Sequence, residues 1–154
     1  MENKSNQNQN QNQDTISKEI EKWKSIFQKK PKLSSIKKPQ KAGFLTKKGV
    51  GMFSNWKRRY FVAKGPFMYY FLSEKDDEKA LGVIYLRNCT LLKNPNPSKQ
   101  FEFSIDTIVS RKPGKKADST RIYQLCSTSS LEKDSWCEII SHFARPKEDN
   151  LLDI

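Results

Sequence analysis

Residues 42–145 are predicted to form a mainly β domain, with seven short antiparallel strands closing into a barrel or sandwich and one C-terminal α-helix capping it. Three observations point there. Of 17 Phe, Trp and Tyr, all but Trp23 and Phe27 fall between Phe44 and Phe143, which confines the core-forming material to that stretch. From Gly43 onward the apolar residues change from helical spacing to alternation and short runs, the pattern of strands. Turn residues then punctuate the chain at Gly49 and Gly51, Gly65-Pro66, Asn94-Pro95-Asn96-Pro97 and Pro113-Gly114.

The elements follow in order. Residues 1–14 are rich in Asn and Gln and offer no apolar surface to offset the entropy of ordering a backbone, so this arm is expected to be disordered. After Asp14 and Thr15, both suited to an N-cap, Ile16, Ile20, Trp23 and Phe27 recur at helical spacing. That predicts a short amphipathic helix over 15–30, ending before Pro31. Such a helix either packs on the domain or lies, basic face outward, on a membrane. Residues 31–41 read as a basic linker. The strands are expected at Phe44–Lys47, Trp56–Ala63, Phe67–Leu72, Val83–Leu86, Thr90–Lys93, Phe101–Ile105 and Ile122–Ser127. Ser129 and Glu132 form a capping box, and Trp136, Ile139, Ile140 and Phe143 share one helical face before Arg145-Pro146 stops the helix. Residues 146–154 make an acidic tail.

Charge narrows the function. The balance of 29 basic and 17 acidic residues is +12, and a surplus that large marks a polyanionic partner: nucleic acid, an anionic membrane surface or a phosphorylated ligand. Cys89, Cys126 and Cys137 are odd in number and show no C-x-x-C spacing, so neither a disulfide framework nor a zinc site is expected, and a reducing, cytoplasmic home is. No apolar run approaches the roughly 20 residues that span a bilayer, which leaves peripheral membrane contact. Catalysis is not expected. The single histidine, His142, sits near the end of the last helix, and Gly49-Val50-Gly51 lacks the Lys-Ser/Thr of a nucleotide-binding loop. Asp76, Asp77 and Glu78 are neighbours on one loop rather than converging groups. No cofactor and no metal is implied.

Several segments resemble those of pleckstrin homology (PH) domains. Gly43-Phe44-Leu45-Thr46-Lys47 resembles their first strand, Trp56-Lys57-Arg58-Arg59-Tyr60-Phe61-Val62 the second, Met68-Tyr69-Tyr70-Phe71 the third and Leu81-Gly82-Val83-Ile84-Tyr85-Leu86 the fourth. Trp136 stands where the family's helix carries its tryptophan. The likeness covers about residues 42–145 and is nearest to the cytohesin-type, phosphoinositide-reading members.

Alternation along the second strand puts Lys57, Arg59 and Phe61 on one face. With Phe61 inside the barrel, Lys57 and Arg59 stand at its mouth, where Lys47 can join them; from Lys47 to Arg59 there are five basic residues and no acid. The resemblance implies Lys47, Lys57 and Arg59 as phosphate ligands, with Tyr69 contributing from the third strand. Lys48, Arg58, Arg111, Lys112, Lys115 and Lys116 are supporting cations, the last four in a basic cluster that also holds Arg121. Val50, Met52 and Phe53 form an apolar loop able to touch lipid. Leu81 replaces a basic residue of the cytohesin-type pattern, which is compatible with a site that reads several phosphoinositides. The expected function is reversible recruitment to phosphoinositide-bearing membranes. Two alternatives stay open: a protein-binding adaptor of the same fold, and nucleic-acid binding through the basic surface.

Overall fold

The computed structural model describes residues 3–49, 55–109 and 121–145. Val50, Met52 and Phe53, the cluster Arg111, Lys112, Lys115 and Lys116, and the tail 146–154 lie outside the described residues. Helix α1 (Asn3–Lys29) is followed by a 3-10 turn (Leu33–Ser35) and by strands β1 (Lys41–Lys48), β2 (Trp56–Lys64), β3 (Phe67–Phe71), β4 (Gly82–Tyr85), β5 (Thr90–Leu92), β6 (Glu102–Thr107) and β7 (Arg121–Cys126). Helix α2 (Ser130–Phe143) completes the described chain. The strands form one antiparallel sheet in the order β4-β3-β2-β1-β7-β6-β5. Every strand expected from the sequence is present, with ends displaced by a few residues at most.

The sheet curls around a single interior. Leu45 of β1, Phe61 and Ala63 of β2, Met68 of β3, Ile84 of β4, Phe103 and Ile105 of β6, and Tyr123 and Leu125 of β7 meet there. Helix α2 closes it, with Trp136, Cys137 and Ile140 packed on the same cluster. Ser129 caps the helix as expected, its Oγ accepting a hydrogen bond from the Glu132 backbone N–H at 3.1 Å, while the Glu132 carboxylate pairs with Lys41 at 3.1 Å. The cysteines are free, and burial pushes the Cys89 thiol up to about 12 and the Cys137 thiol up to about 11.

Strands β3 and β4 are buried on both faces, and a second cluster explains why. Val62, Phe67, Tyr69, Phe71, Val83 and Tyr85 point away from the interior and pack beneath Trp23 of α1, which is only 1% exposed. A near-continuous apolar run in a strand requires cover on both sides. Here the second cover is α1, whose apolar face lies on the domain rather than being free for a membrane. Glu19 fixes its orientation by accepting hydrogen bonds from the Tyr85 hydroxyl (2.8 Å) and from Arg87 Nε and Nη2 (2.9 and 3.0 Å).

Two expectations need correction at the N-terminus. The helix begins at Asn3, not at Thr15, so the Asn/Gln arm expected to be disordered continues α1. The packed half around Trp23 supplies the costly nucleus, and extending a formed helix through unbranched Gln needs no further nucleation. Within residues 31–41, expected to be a basic linker, the first part is hydrogen-bonded to the β3–β4 connection, Leu33 N–H donating to the Glu78 carbonyl at 2.9 Å and Ala80 N–H to that of Pro31 at 2.9 Å, and Lys41 already begins β1. Among the described residues no helix is long and apolar enough to cross a membrane.

Candidate functional site

The register of β1 and β2 sets Lys47 opposite Lys57 and Leu45 opposite Arg59. Leu45 and Phe61 are buried in the interior, so Lys47, Lys57 and Arg59 stand on the interior face one step nearer its open end. Like charges directly opposite one another destabilise a strand pair, so this arrangement opposes folding unless it serves another purpose. A fourth cation arrives from β7. Lys47 pairs with Leu125, and alternation puts Tyr123 and Arg121 on the same face.

The Lys47 ammonium lies 5.1 Å from the Tyr70 ring centroid and 5.8 Å from that of Tyr123, a cation held against two aromatic faces. Arg121 is a buried residue whose guanidinium stacks on Tyr123 at 4.2 Å, and its charge acts on both the Tyr70 and the Tyr123 hydroxyl. Arg59 Nη1 donates to the Arg58 carbonyl at 2.9 Å, which holds its guanidinium on the rim. Among the described residues none of these four cations forms a salt bridge. The electrostatic result is plain at Lys47. Burial first, then the charges of Arg121, Arg59 and Lys57, lower its pKa to about 8. Burial likewise raises the Tyr70 hydroxyl above its ordinary range.

Of the expected site residues that are described, the fold gathers Lys47, Lys57 and Arg59 and sets Tyr69, Arg58 and Lys48 on the other face of the sheet. Tyr69 is a correction: it pairs with Val62 and packs in the cluster beneath Trp23, on the opposite side of the sheet. Its neighbour Tyr70 pairs with Phe61 and faces the cations. Gly82 makes room for it, since the Tyr70 phenol fills the space a Cβ at residue 82 would need. Arg58, expected as a supporting cation, is on the outer face, stacked at 3.6 Å on Phe44, which in turn meets Tyr60 edge-on at 5.0 Å. Lys48 pairs with Trp56 and shares that outer face. Arg121 belongs to the site although the sequence placed it only in a loop cluster; the alternation Arg121, Tyr123, Leu125, with every second residue apolar or stackable, carried that signal.

A face of four converging cations with two phenols suits an anion that presents several oxygens at once. Charge-assisted hydrogen bonds to such oxygens contribute roughly 1.5 to 3 kcal/mol each.

Comparison with known proteins agrees with this architecture. The family profile described as PH domain matches residues 39–145. The chain is 35% identical over 99 residues to the RAC family serine/threonine-protein kinase homolog of Dictyostelium discoideum, a match that covers 64% of this chain and 19% of the kinase. It is 31% identical over 112 residues to human Rho GTPase-activating protein 25, covering 71% of this chain and 17% of that protein. With human cytohesin-4 it shares 32% identity over 113 residues, covering 66% of this chain and 28% of the relative. The chain thus spans less than a third of the length of each of these three relatives. Among solved structures, the C-terminal PH domain of pleckstrin in complex with D-myo-Ins(1,2,3,5,6)P5 is 27% identical with a TM-score of 0.53, covering 70% of this chain and 97% of that one. Seven antiparallel strands, the closing helix with its buried tryptophan and the matched profile lead to one conclusion: the chain belongs to the PH domain family.

Proposed function

We propose that this domain binds the phosphate groups of phosphoinositide headgroups and so attaches the chain reversibly to membranes. The observation that carries the reading is the convergence of Lys47, Lys57, Arg59 and Arg121 on one interior-facing mouth with no carboxylate paired to any of them among the described residues. Phosphates would supply the missing negative charge. The PH domain of pleckstrin is a neighbour solved with an inositol pentakisphosphate, which supports the same ligand class. The reading is one of binding without chemistry, in a chain that meets the membrane from its cytoplasmic side.

Sedimentation with vesicles that differ in phosphoinositide, each at low and high salt and with phosphatidylserine vesicles as the control, tests it. Preference for one or more headgroups that survives high salt is expected. The double variant Lys57→Ala, Arg59→Ala is expected to lose that preference while keeping its fold. Binding to all anionic vesicles alike, abolished by salt, would overturn the pocket reading and direct attention to a protein partner.

A further inference from the structure

We propose that α1 and the segment following it are a working part of the anion site, with Trp23 as its positioning residue; the inference rests on the phosphate-binding reading above. The Trp23 indole N–H donates to the Val83 carbonyl at 3.0 Å, across 60 residues of sequence. Val83 follows Gly82, the residue whose bare Cα leaves room for the Tyr70 phenol. Leu81 N–H, one residue earlier, donates to the Tyr70 carbonyl at 2.9 Å. Tyr70 in turn stands under the Lys47 ammonium. A continuous run of contacts therefore leads from the N-terminal helix to the floor of the site.

The same helix supports the mouth at two of its crossings. Its cluster takes in Ala80, at the end of the β3–β4 connection, and Ile108 and Val109, just beyond β6. The β3–β4 connection carries Glu74, Asp76, Asp77 and Glu78, a concentration of acid able to compete for the four cations. Among the described residues none of these carboxylates forms an ion pair with the four cations. Leu33 N–H donates to the Glu78 carbonyl at 2.9 Å and Ser34 N–H to that of Asp76 at 3.1 Å, and Lys32 bridges Lys79. The Glu78 carboxylate accepts from the Ser73 hydroxyl at 2.8 Å instead of reaching a cation. Loosening α1 frees this connection, shifts Tyr70 and lets carboxylates approach Lys47 and Arg59. Anion affinity then falls although no group that would touch the anion has changed.

The test uses the full chain, with inositol 1,3,4,5-tetrakisphosphate as the probe in calorimetry and the Lys47 side chain followed by NMR titration without ligand. Trp23→Ala is expected to weaken probe binding by about tenfold, and Trp23→Phe, which keeps most of the packing and loses the indole hydrogen bond, by a few-fold. In both variants the Lys47 titration is expected to move up, toward that of an ordinary lysine, as its surroundings open. If folded variants bind the probe as the parent does and Lys47 titrates unchanged, α1 only stabilises the domain and the proposal is overturned. Should Trp23→Ala fail to fold, Trp23→Phe decides by the same two readings. If the parent does not bind the probe and Lys57→Ala with Arg59→Ala changes nothing, the phosphate-binding reading fails, while the ligand-free Lys47 titration still decides whether Trp23 positions the site.

Discussion

At Lys47 a half-buried ammonium stands over two phenol rings with three other cations around it. Its pKa is lowered to about 8, against 10.5 for an unperturbed lysine. Between those values the unfolded chain binds more protons than the folded one, so stability of the ligand-free domain should rise as pH climbs through that window. Thermal unfolding at fixed ionic strength reads this directly, and Lys47→Met should flatten the rise. A phosphate ligand favours the ammonium, so binding near pH 8 should take up a proton. Calorimetry in buffers of different ionisation enthalpy measures that uptake, and a proton-neutral titration at that pH would contradict it. Tyr70→Phe should weaken probe binding by roughly two- to tenfold, the scale of one hydrogen bond, whereas Tyr69→Phe should leave it unchanged. That difference was legible. The Gly65-Pro66 turn, with Gly65 at φ 58°, pairs Lys64 with Phe67, and counting outward puts Phe61 opposite Tyr70. The resemblance implied Tyr69, whereas the register set by this turn gives Tyr70.

Strands and the last helix were readable because local signals agreed with tertiary demand. Alternation in β2, the Gly65-Pro66 turn and the Ser129 N-cap each specify one outcome, and the fold uses all three. Ser129→Ala should lower stability by about 1 kcal/mol in urea unfolding, with the slope unchanged. The N-terminal elements were less legible. Nothing in the period of Ile16, Ile20, Trp23 and Phe27 says what covers that face, and the clue lay elsewhere, in the doubly buried runs of β3 and β4. The ordering of 31–40 depends on backbone hydrogen bonds to the β3–β4 connection, which no side-chain pattern announces. Arg58 was misplaced for a related reason: alternation gave its face correctly, but its charge suggested a ligand where its guanidinium serves to cover Phe44.

Across the whole molecule the folding unit is larger than the family profile suggests. The profile begins at residue 39, whereas the outer cluster needs Trp23 and the segment through Ile36. Removing residues 1–38 should expose Val62, Tyr69, Val83 and Tyr85 and lower stability by about 3 to 5 kcal/mol, the cost of deleting a buried large aromatic. Urea unfolding of the shortened chain against the full one checks this, and equal midpoints would show α1 to be an appendage. In the full chain Trp23 and Trp136, buried on opposite sides of the sheet, should report one coincident transition. The net charge of +12 acts at this scale too: it accelerates approach to any anionic surface and is screened by salt.

The two ends of the sheet carry a further consequence. β4 borders the sheet on one side, and there the Val83 carbonyl is already occupied by Trp23. β5 borders it on the other with only three residues before Asn94-Pro95-Asn96-Pro97, where proline removes the donors another strand would seek. Open strand edges are templates for aggregation between copies. With one end occupied at Val83 and the other cut short before two prolines, the sheet offers little template for strand pairing between copies of this chain, whatever their local concentration.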